Sequence, residues 1–321
     1  MGVYTSLDAA EVTAFLAGYG LGRVSALEPI REGIENTNYR VTAGTPERRY
    51  VLTVFERDAP EVVAETLRLT AELSARGVPC PGPLAARGTG ALLSTLRGKP
   101  ASLVPFVDGE AVMAPGNEHL EALGRALAEL HLAGADLPFD RGGAHRADTL
   151  CPLAERLAER VRSAEPALAE LMAAEAAVQA EVPETGLPGG VIHADLFLDN
   201  VLFDGGSPPR VKALLDFHLA GRGPWLFDLA VVLDDAGWGG GGVRGERARA
   251  FLGSYRAVRP LEPAEFSLLP AYLRRVALRF LCLRVERFLL GGPQLVAGHG
   301  KDPREYARRL EILRAGPAGG A

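Results

Sequence analysis

The segment from His193 to Asn200 carries polar side chains at a spacing that suits group transfer. Asp195 follows His193 by two positions, Asn200 follows Asp195 by five, and Asp216 ends the next apolar run. A carboxylate such as Asp195 can accept the proton of an attacking hydroxyl, while an amide and a later carboxylate can hold the metal ions that bridge nucleotide phosphates. This is the spacing of a kinase catalytic loop, and it predicts transfer of phosphate from ATP to a hydroxyl.

Each polar residue of this loop can be given a role. A lone Asp in a loop is often only a turn residue or a helix cap, but that interpretation leaves Asn200 and Asp216 at the required spacing unexplained. We therefore predict that Asp195 is the catalytic base or orients the substrate hydroxyl, and that Asn200 and Asp216 bind Mg²⁺. We group His193 with the catalytic residues but expect it to brace the loop through backbone hydrogen bonds rather than to transfer protons.

Composition and charge exclude several other classes of protein. The chain has 321 residues, of which 47% are hydrophobic, and its formal net charge of −5 argues against a nucleic-acid binder. Its apolar runs are shorter than the ~18 residues of a membrane helix, and its N-terminus has no signal-peptide pattern. The three cysteines, Cys80, Cys151 and Cys282, are far apart and form no C-x-x-C. They predict neither a disulfide framework nor a zinc site, so we expect a reducing cytoplasm.

The chain changes character near residue 106. Before it, the periodicity predicts helices over 7–19 (capped by Ser6) and 61–76, strands over 24–30, 38–42 and 50–55, and a hairpin with arms 92–96 and 101–107 around residues 97–100. After it, helices are predicted over 118–132, 153–178, 226–234, 247–255, 263–290 and 303–313, with strands in 191–203 and 211–217 beside the polar loop. The predicted fold is α+β and bilobal, like a protein kinase. An N-terminal β-rich nucleotide-binding lobe (1–106) precedes a mainly helical catalytic and acceptor-binding lobe (107–321).

A polar turn between two predicted strands of the first lobe is a candidate phosphate site. It contains Gly33, Asn36, Thr37 and Asn38. Such a turn can bind nucleotide phosphates through backbone N–H groups and small polar side chains. Taken alone, the same composition is more often an ordinary hairpin turn. Its position ahead of the catalytic loop favours the phosphate-binding interpretation.

The third predicted strand lacks a residue that kinases usually have. A lysine on that strand normally contacts the α and β phosphates, but Thr53 stands where it is expected. Lys99 is the only lysine of this lobe, and it lies in the predicted hairpin turn. We therefore assign Thr53 to the phosphate site and expect Arg57 or backbone donors to neutralise the phosphates.

Three segments together resemble homoserine kinases of the type related to aminoglycoside phosphotransferases and choline kinases: 33–39, 51–56 and 191–203. Asp216-Phe217, the run 228–230 and the segment 300–303 fit the same pattern, and the likeness extends from residue 3 to the last helix. The resemblance implies ATP- and Mg²⁺-dependent phosphorylation of L-homoserine, a step toward threonine. That family also carries Thr on the third strand, which accounts for Thr53.

The chain departs from that pattern close to the expected acceptor site. His218 stands where the family usually has Tyr after Asp-Phe, and the following residues 219–223 also differ. The segment 234–238 stands where the family often has Asn-Asp-Trp. These departures bear on the identity of the acceptor more than on the type of reaction.

An acceptor such as homoserine carries an ammonium group and a carboxylate, so its site needs an acid and a base. Asp234 and Asp235 are candidates for the ammonium, and Arg279 and Arg284 are candidates for the carboxylate. His218 is placed with these acceptor-binding residues. The alternative is that these charged residues form ordinary salt bridges.

Two other functions remain open from the sequence. The first is a related small-molecule kinase that acts on an amino alcohol, a sugar or an aminoglycoside. The short acidic stretch favours a small acceptor over an aminoglycoside, which needs a broad acidic cleft. The second, a non-catalytic kinase-like binding protein, is disfavoured because Asp195, Asn200 and Asp216 are all present. The expected partner is a small-molecule substrate rather than a nucleic acid or a membrane, and the sequence does not define the oligomeric state.

Overall fold

The structure is a computed structural model that describes residues 4–31, 36–239, 242–291 and 302–316. The chain divides by its internal contacts into two compact units. The first comprises Met1–Glu110, Leu202–Gly205 and Lys212–His218, and the second comprises Ala111–Val201, Gly206–Val211 and Leu219–Ala321. The nucleotide-binding and acceptor-binding roles assigned to 1–106 and 107–321 stay predictions.

The first unit is built on an antiparallel sheet. Its helices are α1 (Ala9–Ala17) and α2 (Pro60–Ala75), and its strands are β1 (Val24–Ile30), β2 (Thr37–Ala43), β3 (Arg48–Val54), β4 (Ser94–Leu96) and β5 (Lys99–Pro105). The sheet order is β1-β2-β3-β5-β4. Strands β2 and β3 alternate between buried and less buried positions, as expected for a sheet with one face on a core. That core contains the α1 residues Val12 and Leu16 and the β3 residues Leu52 and Val54.

Helix α1 begins with a capping box. Asp8 Oδ1 accepts hydrogen bonds from the backbone N–H groups of Ala10 and Glu11, both at 2.9 Å. In return, Glu11 Oε2 accepts from the Asp8 N–H at 3.0 Å. These bonds satisfy N–H groups that have no partner within the helix. The sequence-based prediction of Ser6 as the cap was therefore wrong, because the helix starts two residues later than the apolar stripe suggested.

The hairpin of β4 and β5 is tighter than predicted. Leu96 pairs with Lys99, so only Arg97 and Gly98 form the turn. Both residues have positive φ, 51° for Arg97 and 75° for Gly98. Two successive positive φ angles define the two-residue turn that matches the twist of a hairpin. Lys99 and Pro100, which were predicted to lie in the turn, belong to β5.

The second unit is mainly helical. Its helices are α3 (Asn117–Ala133), α4 (Ala147–Val161), α5 (Pro166–Ala180), α6 (Leu226–Asp235), α7 (Gly245–Val258), α8 (Pro263–Arg284) and α9 (Pro303–Ala315). The remaining strands of the chain are β6 (Glu110–Ala111), β7 (Gly189–Ile192), β8 (Val201–Phe203), β9 (Val211–Leu214) and β10 (Gly221–Pro224). Strand β7 pairs with β10, and β6, β8 and β9 form a three-stranded sheet in that order.

Three elements of this part of the chain differ from expectation. The helix predicted over 153–178 is two helices, because Pro166 has no N–H and starts a new helix at its first turn. The helix predicted over 263–290 ends at Arg284 and continues as one π-helical turn, Val285–Leu289. Strand β10 was not predicted, because its Gly-Arg-Gly-Pro sequence has low strand propensity and pairing with β7 overrides that preference. None of the described helices is long and apolar enough to span a membrane.

The capping box of α1 provides a test of its assignment. We expect Asp8→Ala to lower the free energy of unfolding by about 1 kcal/mol, because two N–H groups lose their acceptor. Ser6→Ala, at the exposed residue first predicted as the cap, is the matched control and should change it by less than about 0.5 kcal/mol. Urea denaturation of both variants measures these values. A larger loss in Ser6→Ala would contradict the capping box.

Candidate active site

The catalytic loop joins β7 to a single 3₁₀ turn at Leu198–Asn200. The carbonyl oxygen of Asp195 accepts two hydrogen bonds, one from the Phe197 N–H and one from Asn200 Nδ2, both at 2.9 Å. The structure thus brings Asp195 and Asn200 together in the second unit. The Asp195 residue is only partly buried. With Nδ2 used by this bond, Oδ1 is the atom with which Asn200 could contact a cation.

The backbone just before Asp195 is strained, and two hydrogen bonds to one carboxylate hold it in place. Ala194 is fully buried and has φ of 64°, a conformation that costs a residue with a Cβ about 1 kcal/mol or more. The Asp228 carboxylate accepts from two adjacent N–H groups, that of His193 through Oδ2 and that of Ala194 through Oδ1, each at 2.7 Å. A carboxylate that binds both N–H groups fixes the chain where the strain is concentrated.

Asp228 is in turn oriented by a buried aromatic network. His131 Nε2 lies 3.1 Å from Asp228 Oδ2, and His131 Nδ1 lies 2.7 Å from the Tyr255 hydroxyl. The His131 ring stacks on Trp225 with centroids 5.5 Å apart. Burial alone would raise the pKa of Asp228, but hydrogen bonds from His131 and from the backbone N–H of His193 hold that pKa below its ordinary value.

The protonation of this network follows from those contacts. Burial lowers the pKa of His131, so its imidazole is neutral near pH 7. An ionised carboxylate can only accept, so His131 Nε2–H donates to Asp228 and Nδ1 accepts from the Tyr255 hydroxyl. Neither His131 nor Asp228 has a role predicted from sequence, although Asp228 lies in the run 228–230 that fits the family pattern. For His131 the available signal is a lone His at the end of an apolar helix, α3.

His193 makes backbone contacts within the loop. Its Nδ1 accepts a hydrogen bond from the Asp195 N–H at 3.3 Å, and its side chain is fully buried. Together with the N–H bond to Asp228, these contacts are those of a residue that shapes the loop. Whether His193 braces the loop or transfers protons stays a prediction.

Asp216 and His218 form a pair in the first unit. Asp216 follows β9 and has φ of 63°, and its Oδ1 contacts His218 Nδ1. The Asp216 side chain is half exposed. A carboxylate at Asp216 and an amide oxygen at Asn200 are the hard donors that Mg²⁺ prefers. No three His, Cys, Asp or Glu side chains cluster as a metal site within the described part of the chain. The metal-binding roles of Asn200 and Asp216 stay predictions.

The residues predicted to bind phosphate make several contacts in the first unit. Gly33 lies outside the described residues. Asn36 Oδ1 accepts from the Glu56 N–H at 3.2 Å, and Thr37 Oγ1 donates to Glu56 Oε1 at 2.6 Å. Thr37 Oγ1 also accepts from the N–H of Tyr4 at 2.9 Å, which ties the start of the chain to β2. Their role toward phosphate stays a prediction.

Thr53 and Lys99 lie on opposite faces of the sheet. Thr53 Oγ1 donates to Asn38 Oδ1, its cross-strand partner, at 2.8 Å. Lys99 shares its face of β5 with the buried residues Ala101 and Leu103, whereas Thr53 pairs with Ser102 on the other face. Lys99 Nζ is paired with Glu56 there. Lys99 therefore does not replace the usual strand lysine.

Two of the candidate acceptor residues lie at the end of α6. Asp235 Oδ2 accepts from the Leu198 N–H of the catalytic loop at 2.8 Å, and Asp235 is partly buried. Burial raises the pKa of Asp235, and the Leu198 bond opposes that shift. Asp234 is fully buried, and its Oδ2 accepts from Arg309 Nη1 at 2.8 Å. An ammonium group would have to compete with Arg309 for Asp234, and Asp235 is the more accessible carboxylate.

The two candidate arginines have different surroundings. Arg284 Nη1 donates to Glu305 Oε2 at 2.7 Å, and its guanidinium lies over the Tyr306 ring at 4.3 Å. Arg279 is almost fully buried, and its Nη1 donates to the Ala194 carbonyl at 2.8 Å. The acceptor-binding roles of these arginines, like those of Asp234, Asp235 and His218, stay predictions.

The unusual segment 219–223 has a structural explanation in this chain. His145 is buried, and its Nε2 lies 3.0 Å from the Arg222 carbonyl. A Cβ at Gly221 would lie 2.4 Å from the His145 ring, and one at Gly223 would lie 3.1 Å from it. The Arg222 side chain donates to the carbonyls of Phe139, at 2.9 Å, and Leu137. These residues pack β10 onto its own unit, which accounts for the departure without invoking the acceptor.

Comparison with known proteins shows the family of this chain. Residues 26–261 match the family described as the phosphotransferase enzyme family, so the chain belongs to that family and is an enzyme. Over nearly its whole length it is similar to a homoserine kinase of Methylobacterium radiotolerans, with 40% identity over 318 residues covering 98% of this chain and 96% of the relative. A homoserine kinase of Parvibaculum lavamentivorans is 40% identical over 327 residues, covering 99% and 98%.

A solved structure shares the fold. A spectinomycin phosphotransferase, crystallised with ADP and spectinomycin, superposes with a TM-score of 0.69 at 13% identity, covering 97% of this chain and 99% of that one. At this identity the likeness concerns the fold alone. The predicted α+β, protein kinase-like fold is thereby confirmed.

The two hydrogen bonds that Asp228 accepts from the loop backbone can be tested by substitution. In Asp228→Asn an amide nitrogen would face a backbone N–H, so we expect about 1–3 kcal/mol less stability and about 100-fold lower kcat. The matched control is Glu175→Gln, because Glu175 is also fully buried but binds Arg274 and Gln179 instead of the loop. It should lose stability with kcat little changed. Equal kcat losses in the two variants would contradict a specific role for Asp228.

The burial of His145 makes the free energy of unfolding depend on pH. Burial lowers the pKa of His145 from 6.5 to about 4, so the unfolded chain takes up the proton first as pH falls. The stability that neutral His145 provides is present above pH 6.5 and is lost toward pH 4, by about 1.4 kcal/mol per pH unit. Urea denaturation at pH 7, 6 and 5 should show a shallower decline in His145→Gln than in the wild type. Parallel curves would disprove this contribution.

Proposed function

We propose that this protein is a homoserine kinase, which transfers the γ-phosphate of ATP to the side-chain hydroxyl of L-homoserine and yields O-phospho-L-homoserine for threonine biosynthesis. The observation that carries the proposal is the 40% identity to a homoserine kinase across 98% of the chain. A match over nearly the whole of both chains extends through the catalytic loop and through the region of the candidate acceptor residues. We also propose that the enzyme works in the cytoplasm.

Asp195 accepts the proton of the homoserine hydroxyl or orients that hydroxyl toward the γ-phosphate. This role is supported by a partly accessible carboxylate on a loop whose backbone is fixed by Asp228 and by the Asn200 amide. A fixed loop matters because phosphoryl transfer depends mainly on alignment and electrostatic stabilisation.

The metal is a divalent cation, which we propose to be Mg²⁺, held by the Asn200 amide oxygen and the Asp216 carboxylate. Their support is the chemistry of the donors, since both are hard oxygen ligands. When bound, such an ion supplies charge neutralisation at the phosphate oxygens of ATP.

The nucleotide phosphates are bound by the turn that includes Gly33, Asn36 and Asn38, with Thr53 beside it, while Thr37, which is fully buried and donates to Glu56, holds the turn in place. The hydrogen bond between Thr53 and Asn38 supports this assignment, because it orders two polar side chains on one face of the sheet. Since Lys99 is paired with Glu56 on the opposite face, backbone donors, Arg57 and the metal provide the positive charge.

For the acceptor, Asp235 is the carboxylate whose surroundings best suit an ammonium group. It is partly accessible and belongs to the same hydrogen-bonded assembly as the catalytic loop. Arg284, which is held by Glu305 and stacked on Tyr306, is the candidate for the acceptor carboxylate. A related small-molecule kinase with another hydroxyl acceptor is the second candidate function, favoured by the departure at His218.

An assay of ADP release over a panel of acceptors tests the proposal. The panel contains L-homoserine, L-serine, ethanolamine, choline, a monosaccharide and an aminoglycoside. We expect kcat/KM for L-homoserine to exceed that for acceptors lacking the carboxylate or the ammonium by at least about 100-fold, because their absence leaves site groups unpaired. A clear preference for another acceptor would replace homoserine, and turnover with none would contradict the enzyme.

Two variants serve as controls for the same assay. Asp195→Ala should keep nucleotide binding but lower kcat by about 100- to 10,000-fold, since the proton acceptor is removed. Asp199→Ala removes a neighbouring carboxylate that is exposed on the same loop, and it should retain activity near that of the wild type. Near-normal turnover in Asp195→Ala would show that the loop has been misinterpreted.

A further inference from the structure

Arg279 contacts the catalytic loop from the middle of α8. Its Nη1 donates to the carbonyl of Ala194, the residue with strained backbone that precedes Asp195, at 2.8 Å. The peptide unit that begins at this carbonyl ends at the Asp195 N–H, which donates to His193 Nδ1 at 3.3 Å. Because the peptide unit is planar, fixing its oxygen and its N–H fixes the rotation of the whole unit.

That peptide unit determines the direction of the Asp195 side chain. Its rotation sets ψ of Ala194 and φ of Asp195, and these angles orient the bond from the Asp195 Cα to its carboxylate. On the other side of Ala194, the N–H is held by Asp228 Oδ1 at 2.7 Å. The two backbone groups of Ala194 are thus bound by opposite charges. The Asp228 carboxylate binds its N–H, and the Arg279 guanidinium binds its carbonyl.

Arg279 itself has little freedom to move. Only 3% of the residue is exposed, and its guanidinium lies over the rings of Phe280, at 4.8 Å, and Phe227, at 5.6 Å. Its Nε is buried without a hydrogen-bond partner among the described residues. Burial lowers the pKa of Arg279, and the charges of Asp195 and Asp228 oppose that shift, so the guanidinium stays charged. A buried charge with an unsatisfied N–H is costly, which argues for a function beyond packing.

We propose that Arg279 is a positioning residue for phosphoryl transfer, which holds the Ala194 carbonyl and so keeps the Asp195 carboxylate aimed at the acceptor hydroxyl. This inference rests on the proposed function, because it assigns a purpose to the same catalytic loop. It differs from the role predicted from sequence, in which Arg279 binds the acceptor carboxylate. The two roles affect different kinetic constants, and this difference makes them separable.

Steady-state kinetics of Arg279→Met provide the test. The variant keeps an unbranched, largely apolar side chain but is shorter than arginine and loses both the charge and the donor to Ala194. We expect kcat to fall by about 100-fold with KM for the acceptor unchanged, since a misaimed group acts on the transition state and not on binding. Arg279→Lys, which keeps the charge and a donor, should recover most of the lost kcat. A rise in acceptor KM with kcat preserved would instead make Arg279 a ligand of the acceptor.

A matched control separates positioning from general destabilisation. Arg274 lies on the same helix and binds the buried Glu175, which also has Arg314 Nε at 3.7 Å. Arg274→Met therefore removes a guanidinium and its bond to Glu175 away from the loop, and its kcat should stay close to that of the wild type. A similar loss of kcat in Arg274→Met and Arg279→Met would overturn the proposal.

Hydrogen–deuterium exchange provides a readout that does not depend on the acceptor. In Arg279→Met we expect faster exchange in the peptide that covers residues 191–200, because the carbonyl that anchors the turn is released. Arg274→Met should leave that peptide unchanged. If the wild type phosphorylates no acceptor on the panel, the proposed function fails while this measurement still decides the role of Arg279. Unchanged exchange in Arg279→Met would refute positioning.

Discussion

The bond between one buried carboxylate and two successive backbone N–H groups is the interaction on which the active site depends. Asp228 binds the N–H groups of His193 and Ala194 and holds Ala194 at a positive φ that an isolated chain avoids. The direction of the polar loop that follows depends on this turn. Strain of this kind persists only where the surroundings over-determine it. Here the surroundings are a neutral His131, the Tyr255 hydroxyl behind it and the guanidinium of Arg279.

The sequence indicated the type of reaction at this site, but it did not indicate the residues that hold the loop in place. The spacing of Asp195, Asn200 and Asp216 is local, so it can be recognised without a structure. Asp228 and Arg279 act from 34 and 85 residues away, through contacts that only tertiary packing creates. No periodicity or propensity signals which buried Asp or Arg will meet a particular backbone group. The prediction of the capping residue of α1 was wrong for a simpler reason. Apolar periodicity indicates a helix but defines its ends poorly.

The type of reaction and the identity of the acceptor rest on different parts of the molecule. The spacing of the loop residues predicts a phosphotransferase, the family match shows one, and a spectinomycin phosphotransferase at 13% identity shares the same fold. The acceptor follows from likeness to homoserine kinases along almost all of the chain. The departures in 219–223 bear on that acceptor, but Gly221, Arg222 and Gly223 pack around His145 and the loop before it. A segment can thus diverge for reasons of packing while the substrate stays the same.

The position of Lys99 has a consequence for how enzymes of this kind are detected in cell extracts. A reagent that acylates the usual strand lysine of a kinase requires an amine at that position. In this chain the strand offers the hydroxyl of Thr53, and the amine of Lys99 lies on the other face, paired with Glu56. A reagent that relies on an amine at this position of the strand would therefore miss this protein in an extract even when the protein is abundant.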